Sequence, residues 1–173
     1  MTIHWKDLRG VVWDWGGTLM RDIPGQVGPM AGWPVVEAMP GAGAALRALS
    51  FLPVHCVGTN ATESDGAQVA EALERIGLRR YLTNFVTSRE LGVGKPDPAF
   101  FVRVADVVGL PPSDLVSIGN DLDKDIVPAK VAGLATVWVS VDGSHRRHEA
   151  ADLVVPGLAQ LAQVVRSGRR LPR

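Results

Sequence analysis

Cysteine is nearly absent from this 173-residue chain, where Cys56 stands alone. A single thiol closes no internal disulfide and builds no cysteine-rich zinc site. The expected compartment is a reducing one, the cytoplasm. Net charge is also missing: eighteen Lys and Arg balance eighteen Asp and Glu, for a formal charge of +0. Binders of nucleic acid work through a strong positive field, so no nucleic-acid partner is expected. Long hydrophobic runs are lacking as well, the apolar stretches reaching about five residues against the ~20 that cross a bilayer. The first ten residues carry Lys6, Asp7 and Arg9 and lead into no apolar run of signal-peptide length. Neither a membrane partner nor a targeting segment is expected.

What is present is an ordinary globular mixture, 46% hydrophobic and 21% charged, which excludes disorder, collagen-like repetition and coiled coil. At 18.5 kDa the chain supports one domain, 1–173, with a single well-buried core. Short apolar runs at 10–14, 54–59, 84–88, 115–119, 135–140 and 152–155 read as strands. They are nearly continuous in apolar character, as befits strands covered on both faces. Helical patterns lie between them at 41–52, 64–77, 98–109, 123–133 and 156–167, with Gly77 and Gly109 as stops and Pro128 in the first turns of the fourth. This alternation predicts an α/β fold around a parallel sheet, with function collecting at the C-terminal strand ends. Residues 20–40 hold seven Gly or Pro, which predicts a flap after the first strand instead of regular structure. The tail 166–173, with Arg166, Arg169, Arg170 and Arg173, reads as a solvated end.

Chemistry-bearing residues gather at those strand ends. The first strand runs into Asp14-Trp-Gly-Gly-Thr18. A strand-end Asp needs a polar or cationic partner, and the glycines permit a tight turn with backbone N–H groups near a ligand. The second ends in Thr59-Asn60, which equally suits a helix cap. Lys95 stands in Gly92-Val-Gly-Lys95-Pro96-Asp97-Pro98. Pro96 after the Lys rules out a P-loop. Gly41-Ala-Gly43-Ala-Ala-Leu46 fails as a dinucleotide fingerprint, since Leu46 fills the sixth position and no strand precedes it. The fourth strand ends in Gly119-Asn120-Asp121-Leu-Asp123-Lys-Asp125. Clustered carboxylates there call for a hard divalent cation, or form an acidic helix N-terminus stabilised by the helix dipole, as Asp123 is expected to do. His55 reads as a core residue, His145 and His148 as loop residues, and Cys56 as a buried inert thiol. Trp13 is expected in the core, with Trp15 or Trp33 at a ligand.

Taken together, Asp, Thr-Asn, Lys and Asn-Asp…Asp at successive strand ends resemble the haloacid dehalogenase (HAD)-like hydrolase superfamily, over about residues 10–156. The most specific stretches are Ser88-Arg-Glu-Leu-Gly-Val-Gly-Lys-Pro-Asp-Pro98 and Ser117-Ile-Gly-Asn-Asp-Leu-Asp-Lys-Asp-Ile126, followed by Ala132-Gly133 and Trp138-Val139. The resemblance implies a Rossmann-like three-layer sandwich with a central, mainly parallel sheet. It implies an aspartyl-phosphate on Asp14, with Thr59, Asn60 and Lys95 on the phosphoryl oxygens. It also implies Mg²⁺ held by Asp14, the backbone carbonyl of Gly16 and the loop carrying Asn120, Asp121 and Asp125.

Two departures mark this chain. The family's second Asp, two residues after the nucleophile, is Gly16 here, which removes a proton donor worth roughly 10²–10⁴-fold. Slow turnover restricted to good leaving groups is expected, or a degenerate module that binds phosphate or a protein partner without turnover. Asp22 is the candidate replacement if the flap folds inward. The second departure is Asn120: in one register it replaces the family's first metal-binding Asp, with Asp125 five residues on, and in the other Asp121 fills that role, with Asp125 four residues on. Asp121 and Asp125 are the expected acidic pair, with Asn120 as a ligand through its amide oxygen. Residues 20–40 fall short of the roughly 50 that an independent cap domain needs, so a capless, open site is expected. It would suit a phosphorylated small molecule, an exposed phosphate on a larger substrate, or a homo-oligomer that lends cover.

Overall fold

Each of the six expected strands forms, and all pair in parallel. The computed structural model describes residues 3–140 and 147–170. Strands β1 (Gly10–Trp13), β2 (Val54–Thr59), β3 (Asn84–Thr87), β4 (Leu115–Gly119), β5 (Ala135–Val139) and β6 (Leu153–Val155) lie in the order β3-β2-β1-β4-β5-β6. The chain moves outward from β1 to β3, then returns to the other side of β1 for β4. The reversal beside β1 opens a crevice at the carboxyl ends of β1 and β4, where open α/β sheets take their ligands.

The continuous apolar character of the strands has its cause in two covered faces. Val11 and Trp13 face one helical layer and Val12 faces the other, all at most 1% exposed. The first layer holds α1 (Ala42–Leu49), α2 (Gly66–Arg75) and α6 (Leu158–Arg170), packed on Trp13, Val57 and Ile118. The second holds α4 (Pro98–Val108) and α5 (Val127–Val131), with Phe100, Phe101 and Val104 against Val12 and Cys56. A single turn, α3 (Ser88–Leu91), follows β3. The result is the expected three-layer sandwich. Burial pushes the Cys56 thiol up to about 12, so it is inert.

Local chemistry sets the helix ends. Asp65 and Gln68 exchange hydrogen bonds in a capping box that starts α2. The cap of this helix is therefore Asp65, and Thr59-Asn60 is free for other work. Asp97 caps α4, Pro98 occupies its first position, and Gly109 ends it at φ 69°. The helix expected at 123–133 is instead a π-type turn over Leu122–Ile126 followed by α5. Pro128 lacks the N–H that would bond back into a preceding helical turn. The last helix extends through Arg170, so the first part of the basic tail is helical; residues 171–173 lie outside the described residues, as does His145.

The flap leaves β1 and is tied down at its stem. Met20 bridges Ala38, Arg21 N–H donates to the Glu37 carbonyl at 2.8 Å, and Met39 N–H donates to the Leu19 carbonyl at 3.0 Å. Arg75 reaches across to the Ala31 carbonyl at 2.7 Å. Trp33 is buried beneath the loop, its indole N–H on the Gly28 carbonyl at 3.0 Å.

His55, as expected, belongs to the core. Its Nδ1 accepts the Trp13 indole N–H at 3.1 Å, and Nε2 lies 3.2 Å from the Leu49 carbonyl. An indole nitrogen only donates, which fixes a neutral imidazole with its proton on Nε2. Burial pushes its pKa down, against the pull of the Leu49 and Leu52 carbonyls. The unfolded chain thus binds a proton where the folded chain does not, and stability falls as pH drops below about 6.5. His55→Gln is expected to flatten that slope while costing about 1–3 kcal/mol at neutral pH, through the orphaned Trp13 N–H. Urea denaturation at pH 7.5 and 5.5 checks it; identical pH dependence in both proteins contradicts it.

Candidate active site

Asp14 emerges from β1 at the crevice, its N–H donating to the Ile118 carbonyl of β4 at 2.9 Å. Its carboxylate is held at both oxygens. Lys95 Nζ lies 2.7 Å from Oδ1, and the Thr18 hydroxyl lies 2.8 Å from Oδ2. Lys95 Nζ also lies 2.6 Å from Asp125 Oδ1, so one ammonium bridges two carboxylates, with the Lys95 and Asp125 side chains each 3% exposed. Asp125 reaches this position because residue 119 is Gly; a Cβ there would collide with the Asp125 carboxyl group. Thr18 also lies 3.0 Å from Asn120 Oδ1, linking the first and fourth strand ends. Thr18 closes the Asp14–Thr18 motif, but its role shows only in the structure, where it is 1% exposed.

Asp14, Gly16, Asp22, Thr59, Asn60, Lys95, Asn120, Asp121, Lys124 and Asp125 together wall one polar cavity of about 230 Å³. Every expected site residue is among them. A second pocket of about 280 Å³ shares Gly16, Thr59 and Asn60 with the first and adds Trp15, Met30 and Trp33. Both tryptophans expected near a ligand line it, and the Trp15 indole N–H is buried without a hydrogen-bond partner. Trp13 lies in the core, 0% exposed.

The contacts sharpen several roles. Asn60 clamps the Lys95 backbone: its Nδ2 donates to the Lys95 carbonyl at 2.6 Å and its Oδ1 accepts the Lys95 N–H at 2.7 Å. The direct hold on phosphate expected of Asn60 is therefore first a positioning role, with one amide N–H remaining. Asp121 is also partly spent. Its Oδ1 accepts the N–H groups of Asp123 and Lys124, both at 3.0 Å, and its Oδ2 pairs with Lys124 at 3.3 Å. Asp123 stands in the first turn of the helical segment Leu122–Ile126, as expected, with Asp121 as its cap, while Asn120 presents its amide beside Thr18 and Gly17. His148 Nδ1 accepts its own loop's Ala150 N–H at 3.2 Å, away from this cavity.

The electrostatics follow from burial and neighbours. Burial works to lower the Lys95 pKa, but Asp14 and Asp125 outweigh it and raise it. Burial, then the charge of Asp14, push Asp125 up to about 6 against the pull of Lys95. Burial and Asp14 likewise raise Asp22. Burial opposes it, but bonds from Lys124 and the Asp123 N–H hold Asp121 below its usual value. Four Asp and two Lys side chains line the cavity, so carboxyl groups outnumber ammonium groups.

Residues 92–161, about two fifths of the chain, match the family model described as HAD-hydrolase-like. The glyceraldehyde 3-phosphate phosphatase of Methanopyrus kandleri is 42% identical over 69 residues, 40% of this chain and 30% of that protein. Its counterpart from Methanocaldococcus jannaschii is 33% identical over 100 residues, 56% of this chain and 43% of that protein. A HAD phosphatase from Thermococcus onnurineus superposes with a TM-score of 0.70 at 17% identity, over 91% of this chain and 98% of that one. Over residues 92–161 the chain is similar to the HAD-like hydrolases, and its fold is theirs. It spans less than half the length of the archaeal relatives it matches.

Superfamily hydrolases of this kind generally use Mg²⁺, and the donors here fit a hard cation. Among the described residues no three His, Cys, Asp or Glu side chains converge as a metal cluster. A cation at this site would therefore rest on a mixed oxygen set, with carboxylate, backbone carbonyl and amide oxygens joined by water, which is the habit of Mg²⁺. Among the described residues no helix is long and apolar enough to cross a membrane.

Proposed function

We propose that this chain is a Mg²⁺-dependent phosphatase acting on a phosphate monoester through an aspartyl-phosphate on Asp14. The observation that carries this reading is the Asp14 carboxylate, fixed at one oxygen by Lys95 and at the other by Thr18, on the wall of a small polar cavity. A carboxylate so fixed is aimed as a nucleophile and pays little entropy on attack. Asp14 attacks phosphorus in line, and the ester oxygen departs on the opposite side. Lys95, buried and positively charged, offsets the phosphoryl charge, and the Thr59 hydroxyl and the remaining Asn60 N–H supply donors. Mg²⁺ would be held by Asp14, the Gly16 carbonyl and Asn120, with Asp121 and Asp125 beside them. When bound it compensates the repulsion between a dianionic phosphate and the Asp14 carboxylate.

The second pocket takes the leaving group. Trp15, Met30 and Trp33 give it an apolar wall, while Thr59 and Asn60 give it polar contacts beside the cavity. A small organic phosphate fits that mixture, in keeping with the two archaeal phosphatases. Screening phosphate release from a panel of small phosphate esters tests the reading. Release that requires Mg²⁺, together with a beryllofluoride adduct on the Asp14 carboxylate, is expected. Absence of release across the panel overturns it.

A further inference from the structure

We propose that Asp22, carried on the flap, is the proton donor and acceptor of this reaction, its carboxyl group taking the space beside Gly16. The inference rests on the phosphatase reading above. A Cβ built on Gly16 would stand 2.8 Å from Asp22 Oδ1 and 3.3 Å from Oδ2, and all three of its nearest atoms belong to that carboxyl group. Real Cβ atoms essentially never come within 3.0 Å of another heavy atom. A side chain at position 16 would therefore have to turn the Asp22 carboxyl group away from its present position.

Elimination points the same way. Cleaving an alkyl phosphate expels an alkoxide, which needs a proton as it leaves. Asp14 is spent as the nucleophile. Lys95 is held between two carboxylates, and Asp125 is tied to Lys95 and to the Asp121 N–H at 3.0 Å. Asp121 accepts two backbone N–H groups and pairs with Lys124. Among the described residues, Asp22 is the carboxylate of this cavity with no hydrogen bond or ion pair. It follows Arg21, whose N–H and side chain are both tied to Glu37, and stands two residues after the buried Met20 on the flap's stem. The residue is exposed, so it exchanges protons with solvent between turnovers.

The step balances. As Asp14 bonds to phosphorus and the phosphorus–oxygen ester bond breaks, the Asp22 carboxylic acid gives its proton to the departing alkoxide, releasing the alcohol. Water then attacks phosphorus and loses a proton to the Asp22 carboxylate. The bond from Asp14 to phosphorus breaks, leaving inorganic phosphate, a free Asp14 carboxylate and a protonated Asp22.

The test uses an alkyl phosphate and p-nitrophenyl phosphate with Mg²⁺, on wild type, Asp22→Asn, Asp22→Ser, Gly16→Asp and the pair Asp22→Ser with Gly16→Asp. Asp22→Asn and Asp22→Ser are expected to melt like wild type and to lose roughly 10²–10³-fold on the alkyl ester. On the aryl ester, rapid-quench measurement is expected to show an unchanged nitrophenol burst, because a good leaving group needs no proton. The phosphoenzyme then persists, because water lacks its base. Gly16→Asp alone is expected to be impaired by crowding against Asp22, and the pair to regain at least tenfold over Asp22→Ser. Equal losses in the first, leaving-group step on both esters, or no loss on either, overturn the role of Asp22 while leaving the phosphatase reading intact. A wild type inactive on every phosphate ester overturns that reading, and this inference with it.

Discussion

Asp14→Asn is expected to lower kcat by about 10⁴-fold or more, as removal of a nucleophile does elsewhere, while leaving the chain folded. The substitution keeps the shape of the side chain. Its amide oxygen still accepts from Lys95, and its amide N–H₂ can donate to the Thr18 hydroxyl, so both contacts at 2.7 and 2.8 Å have replacements. What disappears is the charge. Asp14 is one of the two causes that raise Asp125, and removing it leaves Lys95 and Asp125 as a simple one-to-one pair. The metal-free variant is therefore expected to melt at or above the wild-type temperature even as turnover vanishes. That opposition separates a lost nucleophile from a damaged fold. Phosphate release, beryllofluoride binding and a thermal melt on the same sample check it. Turnover within tenfold of wild type removes Asp14 from the role of nucleophile.

How much of this was legible in the chain varies with the range of the forces involved. The strands were readable because burial on both faces makes Val11, Val12 and Trp13 a continuous apolar run. From six such runs in alternation with helices, the parallel sheet and the strand-end location of the site follow. The break in the fourth helical pattern was half visible: Pro128 announced trouble, but the π-type turn at Leu122–Ile126 depends on Asp121 accepting two N–H groups. Whether Thr59-Asn60 caps a helix or faces a ligand was undecidable locally, and the stronger cap six residues on, Asp65, decided it. Between Asn120 and Asp121 the spacing alone offered two registers. The structure gives Asp121 a backbone-capping duty and leaves Asn120 beside Thr18. Residues 20–40 could be read as a flap from Gly and Pro content, but composition does not say which way a loop folds. The juxtaposition of Gly16 with Asp22 exists only in three dimensions, so what looked like a missing carboxylate at one position is a carboxylate delivered from another.

Lys95→Met is expected to produce the largest loss of stability of any single change at the site, about 3–5 kcal/mol, because it leaves buried carboxylates without their cation. The side chains concerned are 3% exposed for Lys95, 3% for Asp125 and 13% for Asp14. For a domain of this size that is a fall in melting temperature of roughly 10 °C. The loss has a pH signature. Asp125 already sits raised, at about 6, with Lys95 pulling it down; without Lys95 it rises further. A carboxyl group whose pKa is higher folded than unfolded binds its proton more tightly in the folded chain. It therefore adds stability below the unfolded value, near 4, and loses it as pH climbs through the folded value. The variant should accordingly recover stability on mild acidification and lose it steadily between pH 6 and 8, where the wild type changes little through this group. Mg²⁺ offers a second route to compensation, since a divalent ion beside Asp14 and Asp125 replaces the missing positive charge. Millimolar Mg²⁺ is expected to raise the melting temperature of Lys95→Met more than that of wild type, without restoring turnover, because the phosphoryl group still lacks its ammonium partner. Melting curves at pH 5.5 and 8, with and without Mg²⁺, decide the matter. A variant as stable as wild type at pH 8 without Mg²⁺ would show that Lys95 is not what holds the two carboxylates together.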